Sequence, residues 1–276
     1  MKARISAAVM TAPACSSGSG DKVTITGENF GTDPSDISVS FNGTPAEFEL
    51  VDESTIVATT PADYQTGSVT VTIHGYTMTG GAMFNPNSKG DVTVLYLQNY
   101  KQPFAKANDE SWKNGEWWTP AVWNQNAASF NAKGNTTVSG MQYKSEEGLT
   151  LAFQNGWDKE AYTNGKMWQV ATLRPGKYRL EVTYAYTLVV TDAGNFISVL
   201  IAKGDSESDI PNVADLEQLN GVYVAYDKMG TANDSGTLVT PSFEVTETTD
   251  VVIGFLTSLA KGNSYFKVTE LKLILE

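Results

Sequence analysis

Apolar and polar side chains alternate along much of the chain with a period of two. "KVTITG" (22–27), "DISVSFNG" (36–43), "STIVATTP" (54–61) and "GSVTVTIHG" (67–75) do so near the N-terminus, and "KYRLEVTYAYT" (177–187), "SFEVTE" (242–247) and "SYFKVTELKLILE" (264–276) do so later. β-Branched residues dominate these runs and Gly, Pro, Asn or Asp separate them, so each predicts a strand with one buried and one wetted face. Helical periodicity is scarce, the best case being "VADLEQLN" (213–220), which would make about two turns. The pattern predicts an all-β protein made of sandwiches or barrels.

Several details are specific enough to test. Asn42-Gly43 is a strong hairpin signal, because both residues tolerate positive φ. Gly27 and Gly31 bracket "ENF", where the chain is expected to turn sharply. Tyr178, Leu180, Val182, Tyr184 and Tyr186 share one parity, which predicts a single buried face. At the C-terminus Phe266 and Val268 take one parity and Leu271, Leu273 and Leu275 the other. One buried face therefore requires a bulge near Thr269 and Glu270. "FNPNSKGD" (84–91) is the best boundary signal, giving a first domain over 1–86, a linker at 87–90 and a second domain over 91–276.

Composition narrows the partners. A length of 276 residues with 41% apolar content supports real cores. A net charge of -12 argues against nucleic acid and anionic membrane surfaces, which require a basic footprint. One cysteine (Cys15) and one histidine (His74) allow neither an intrachain disulfide nor a zinc site of the usual N/S ligands. No run approaches the roughly 18 apolar residues of a transmembrane segment. A Ser-His-Asp arrangement would have to use His74, a strand-end residue of the first domain, and no G-x-S-x-G elbow or phosphate-binding Gly-rich loop is present. The acidic loop "KGDSESDIPN" (203–212) offers oxygen ligands for calcium, although a solvated loop is the commoner explanation of such a run.

The densest chemical signal is "SWKNGEWWTPAVWNQN" (111–126), which holds four of the six tryptophans. A sugar ring stacks its C–H patch on an aromatic face, while its hydroxyls take planar partners such as Asn, Gln or Asp. Asn114 stands within the cluster, and Asn155 and Asp158 flank Trp157. Adjacent Trp117 and Trp118 point opposite ways if extended, so one of them packs inside. Trp112, Trp118 and Trp157, with Asn114, Asn155 and Asp158, are the expected glycan-binding residues, and no catalytic or metal-ligating residue is expected.

Two resemblances add to this reading. "ISAAVMTAPACSSGSGDKVTITGENFG", "ISVSFNGTPAEFELVDESTIVATTP" and "GSVTVTIHG" resemble the IPT/TIG domain, an immunoglobulin-like β-sandwich. In that resemblance "RISAAV" is the first strand, so Cys15 lies in a loop and the export signal with its lipidated cysteine is expected upstream of Met1. "WWTPAVWNQNAA", "NGWDKEAYTNGKMWQVATLRPGKYRLEVTYA" and "VVIGFLTSLAKGNSYFKVTELKL" resemble a C-terminal domain of unassigned function found in Bacteroidetes surface lipoproteins, and more broadly the galactose-binding-like jelly rolls of carbohydrate-binding modules. Trp123 and Trp168 belong to stretches that carry this resemblance, which implies that both are structural. The resemblance also implies a non-catalytic surface protein that binds a polysaccharide or oligosaccharide, with the first domain as a spacer and outer-membrane glycan-uptake proteins as partners. It supplies no ligand residues and no cofactor, while allowing for a structural calcium. The alternatives are a protein-interaction or adhesion module and, behind it, a polysaccharide-degrading enzyme.

Overall fold

The computed structural model describes all residues except 1–3, 11–19, 63, 84, 86–88, 108–116, 131–138, 156–160, 190–193, 231–233 and 261–263; for 4–10, 82 and 130 only the backbone is described. The chain forms two compact units, Met1–Leu95 and Tyr96–Glu276. About 59% of the described residues are strand. No helix among the described residues is long and apolar enough to cross a membrane.

The first unit contains β1 (Arg4–Met10), β2 (Lys22–Glu28), β3 (Ile37–Phe41), β4 (Thr44–Ala46), β5 (Phe48–Asp52), β6 (Thr55–Thr59), β7 (Gly67–Ile73) and β8 (Tyr76–Met83), followed by the two-residue β9 (Gly90–Asp91). Two antiparallel sheets, ordered β1-β2-β6-β5 and β4-β3-β7-β8, make an immunoglobulin-like sandwich. The alternation read from the sequence is what closes it. Val23, Ile25, Ile56 and Ala58 of one sheet and Phe41, Val69 and Val71 of the other are all buried in one core, and Phe41 meets Tyr64 edge-on at 5.5 Å. Asn42 and Gly43 have φ of 45° and 85° and join β3 to β4 with Phe41 opposite Thr44, the hairpin that the sequence predicts. The turn at "ENF" instead begins at Asn29 (φ 60°) and ends at Gly31 (φ 83°), because Gly27 is still paired within β2. His74 is an exposed hairpin-tip residue with φ 49°, and its ring lies 3.4 Å from the Asp36 carboxylate.

The second unit holds β10 (Trp117–Trp118), β11 (Asn124–Gln125), β12 (Ser139–Lys144), β13 (Gly148–Asn155), β14 (Tyr162–Leu173), β15 (Gly176–Tyr184), β16 (Phe196–Lys203), β17 (Val224–Lys228), β18 (Gly236–Val239), β19 (Phe243–Val245), β20 (Thr249–Leu259) and β21 (Ser264–Leu275). Its helices are single turns: α1 (Thr93–Tyr96) leads into the unit, α2 (Ala127–Phe130) precedes β12, and α3 (Leu216–Leu219) is shorter than the two turns that the sequence suggests. The larger sheet runs β10-β12-β13-β21-β15-β18 with β19 also on β15, and the smaller runs β11-β14-β20-β16-β17. The pairings are antiparallel, and the two sheets form an open sandwich of the jelly-roll class.

Between the sheets lies an aromatic cluster. Phe255 of β20 approaches Phe153 of β13 at 5.1 Å, Trp123 at 5.7 Å and Phe266 of β21 at 6.4 Å, and Tyr184 of β15 reaches Phe266 at 5.4 Å. The bulge expected in the last strand is present. Thr183 faces Glu270 and Tyr184 faces Val268, leaving Thr269 as the extra residue, so Phe266, Val268, Leu271, Leu273 and Leu275 are all buried. Tyr186 departs from expectation: Tyr178 through Tyr184 are buried on that parity, but β15 ends at Tyr184 and Tyr186 is 46% exposed. The far face of the smaller sheet is also covered, with Trp168, Leu200, Val252 and Leu256 packing against Ile210 and Leu216 from the 204–220 segment.

Candidate functional site

Most of the described tryptophans build the fold. Trp117, Trp123 and Trp168 are 3%, 5% and 7% exposed, and the Trp123 indole N–H donates to the Asn99 carbonyl at 3.0 Å. Trp117 and Trp118 sit in β10 opposite Gln142 and Met141 and so face opposite ways, leaving Trp118 half-buried on the inner side with Met141. Asn155 is a correction. As the last residue of β13 it shares the inward parity of Phe153; it is 1% exposed and its amide donates to the Leu259 carbonyl at 2.9 Å, tying β13 to β20. Trp118 and Asn155 do not converge, since Met141 faces Leu151, four residues and roughly 13 Å along β13 from Asn155. Trp112, Asn114, Trp157 and Asp158 lie outside the described residues.

The acidic loop is clamped on itself. One oxygen of Asp209 accepts bonds from the Ser206 hydroxyl (2.6 Å) and from the backbone N–H groups of Ser206 (3.0 Å) and Asp205 (3.1 Å), and the other accepts from the Tyr223 hydroxyl (3.1 Å). Gly204 is required there, because a Cβ would lie 2.2 Å from the Asp209 carboxyl carbon. Among the described residues no three His, Cys, Asp or Glu side chains are grouped to hold a metal. The Ser206 hydroxyl bond, followed by the other donors against some desolvation, holds the Asp209 carboxyl below its ordinary value. A lowered folded value stabilises the loop above the unfolded carboxylate range, and that contribution is lost as pH falls through the folded value. Acidification is therefore expected to loosen 204–210 and change the emission of Trp168, which packs on Ile210; in Asp209→Ala the change is present already at pH 7.

The outer face of the larger sheet brings together a different set of groups. Residues directly opposite in an antiparallel pair share a face. Because Phe153 and Phe266 point inward, Ala152, Gln154, Tyr265 and Lys267 point outward. The register aligns Gln154, Tyr265 and Leu188 in one cross-strand row and Gly140, Ala152 and Lys267 in the next. All three residues of this second row are buried, Ala152 at 1% exposure and Lys267 at 5%. Lys267, whose side chain is only 6% exposed, is ion-paired with Glu147 from the β12–β13 turn, and its ammonium lies 5.2 Å from the centre of the Tyr265 ring. The opposite end of the same face is a lattice of ion pairs, Arg179 with Glu181 and Glu276, and Lys272 with Glu270.

Tyr186 stands at the edge of this row in a conformation that its neighbours impose. Tyr184 faces Val268 and Leu188 faces Tyr265, so three residues on one strand oppose two on the other. Tyr186 absorbs the difference with φ 53°, a left-handed conformation that costs a bulky residue on the order of 1–3 kcal/mol. It is held there by bonds on both sides. Ala185 N–H donates to the Lys267 carbonyl (3.0 Å), Lys267 N–H to the Thr187 hydroxyl (3.1 Å) and Thr187 N–H to the Asp234 carbonyl (2.9 Å), while Leu188 and Tyr265 exchange bonds at 2.8 and 2.7 Å. The outcome is a tyrosine 46% exposed two residues before Leu188, which is 47% exposed and pairs with the partly buried Tyr265.

Residues 98–254, more than half of the chain, match the family described as a domain of unknown function, DUF5013. The chain belongs to the DUF5013 family. Residues 9–88 match the IPT/TIG domain, so the DUF5013 domain here follows an IPT/TIG module. No curated protein matches the chain. Solved structures similar to it include the apo form of a cyclase from Fischerella (14% identity, 65% of this chain and 94% of that one, TM-score 0.41). A candidate glycoside hydrolase from Bacteroides thetaiotaomicron is also similar (13% identity, 100% and 96%, TM-score 0.41), as is SGBP-B from a complex xyloglucan utilization locus in Bacteroides uniformis (16% identity, 98% and 72%, TM-score 0.24). These likenesses are too distant to carry an activity over from any of the three proteins.

The outer-face residues of the DUF5013 domain are only partly readable in the sequence. The alternation of "SYFKV" places Tyr265 and Lys267 opposite to Phe266, which is a local signal. Glu147 reaches Lys267 across 120 positions, and Tyr186 is turned out by a bulge whose partner strand lies 80 positions on, from Thr187 to Lys267.

Proposed function

We propose that the protein is a non-catalytic glycan-binding protein of the cell surface, in which the DUF5013 domain holds a polysaccharide or oligosaccharide and the IPT/TIG domain serves as a spacer. The observation that carries this reading is the exposed Tyr186, held in a left-handed conformation at a bulge two residues before Leu188, which pairs with Tyr265 in the row that also holds Gln154. Backbone strain at a bulge is tolerated where it aims a side chain. Two tyrosine rings supply stacking faces for sugar C–H groups, and the Gln154 amide supplies a donor and an acceptor for hydroxyls. Glycoside hydrolysis needs two carboxylates facing each other across the scissile bond. Glu147, the carboxylate beside this row, is committed to Lys267, which favours binding without cleavage. Trp112, Asn114, Trp118, Trp157 and Asp158 are proposed as further glycan contacts. Export to the outer-membrane surface as a lipoprotein, next to glycan-uptake proteins, completes the proposal.

The test is native affinity electrophoresis through gels containing plant, host and microbial polysaccharides. The wild-type chain is expected to be retarded by at least one of them without releasing reducing sugar. Tyr186→Gly is expected to weaken that retardation at least about tenfold, as for removal of a central aromatic anchor. Because glycine adopts positive φ freely, the same variant should unfold within about 1 kcal/mol of wild type. No retardation on a broad panel would move the assignment to a protein-interaction module.

A further inference from the structure

We infer that this face selects uncharged glycans, and that Glu147 sets the selectivity by cancelling the charge of Lys267; the inference rests on the glycan-binding reading above. Lys267 is the one cation in the rows formed by Gln154, Tyr265, Leu188, Gly140 and Ala152. An unpaired ammonium in that position, just under the surface beside the Tyr265 ring, would attract a sugar carboxylate. The structure instead brings Glu147 in from the β12–β13 turn. The Gln102 amide donates to the Glu147 carbonyl at 2.8 Å and steadies that turn. The Lys267 side chain is 6% exposed and that of Glu147 20%, so both charges lie close under the surface and cancel where the ligand would rest.

The other charged groups described on this face do not alter the balance. Glu270 and Lys272 pair with each other, Arg179 is shared between Glu181 and Glu276 at the far end, where Lys177 also lies 3.9 Å from Glu276, and Lys144 stands two rows from Lys267, beyond the Gln142–Thr150 pair. What remains for a ligand is a pair of tyrosine rings, an amide and an apolar Leu188, on a chain whose net charge is -12. A polyanionic glycan meets repulsion from the whole protein and finds the site's cation already neutralised, whereas a neutral sugar loses nothing by either.

The experiment uses the full chain and its variants at Glu147 and Lys267, with hydroxyethylcellulose, galactomannan and arabinogalactan as neutral probes and polygalacturonate and alginate as uronate probes. Wild type should be retarded by one or more neutral probes and by neither uronate. Glu147→Gln, which leaves Lys267 unpaired, should gain at least about tenfold in affinity for a uronate probe at low salt, and the gain should disappear at about 0.5 M NaCl, where exposed charges are screened. The double variant Glu147→Gln/Lys267→Met removes the ammonium as well and should again ignore uronates. Lys267→Met alone, which leaves Glu147 unpaired, should also ignore uronates; should Glu147→Gln fold poorly, Glu147→Ala, which likewise leaves Lys267 unpaired, carries the same expected gain and the same overturning result. Thermal unfolding checks the fold of each. Wild-type binding of uronates as tight as of neutral probes, or a Glu147→Gln chain that folds and gains no uronate affinity, overturns the inference while leaving glycan binding intact. Failure of the folded wild type to bind any glycan overturns both.

Discussion

Phe255→Ala is expected to destabilise the DUF5013 domain by about 4 kcal/mol, the middle of the range for Phe-to-Ala truncation in a core. The side chain is fully buried and its ring is the common neighbour of Phe153, Trp123 and Phe266, so it joins both sheets. Truncation removes those contacts and leaves a cavity that two hydrogen-bonded sheets cannot collapse to fill. All six tryptophans lie between Trp112 and Trp168, within the second unit, so indole emission reports the unfolding of that unit alone. With a urea slope of about 2 kcal/mol/M, the midpoint should fall by roughly 2 M. A shift below about 0.5 M would mean that the aromatic cluster is not the core that joins the sheets.

Gly254→Ala should cost nearly as much for a different reason. Gly254 faces Trp168 across the β14–β20 pair, and a Cβ there would lie 2.1 Å from the Met167 carbonyl oxygen and 2.8 Å from the Trp168 Cα. Both obstacles are backbone, so no rotamer change relieves them and the strands must move apart. Overpacking costs about 1–3 kcal/mol where side chains can adjust, and about 3 kcal/mol is expected where backbone must yield. Gly230→Ala is the control: it lies in the same unit, a Cβ added there would meet nothing within 4 Å, and the change should be close to neutral. Equal unfolding midpoints for the two variants would contradict the close approach of β14 and β20.

How much of the molecule is legible in its sequence follows from the range over which each signal acts. The Asn42-Gly43 hairpin and the parity change at Thr269 are local, so both can be read directly and both are present. The core positions of Trp123 and Trp168 are anticipated by the family resemblance of the stretches that hold them, and both residues are buried. Asn155 departs from the sequence reading because its composition suits a loop, whereas the register of β13 carries it inward beside Phe153. Tyr186 continues the parity of the buried face from Tyr178 to Tyr184, and the bulge between Tyr184 and Leu188 that turns it outward leaves no mark in the sequence of either strand. The pairing of Lys267 with Glu147 depends on the β13–β21 register, which no local pattern specifies. The scaffold is thus written in short-range alternation, and the candidate site arises where distant strands meet.

The measurement that bears most directly on the central claim is backbone-amide NMR of the labelled chain, titrated with an oligosaccharide of whichever glycan retards it in gels. The account predicts that the perturbed amides centre on Gln154, Tyr186, Leu188, Tyr265 and Lys267, and that Tyr265→Ala abolishes the perturbation with the remaining spectrum unchanged. Perturbations confined to the β16–β17 edge or to the IPT/TIG domain, with those five amides unmoved, would contradict it.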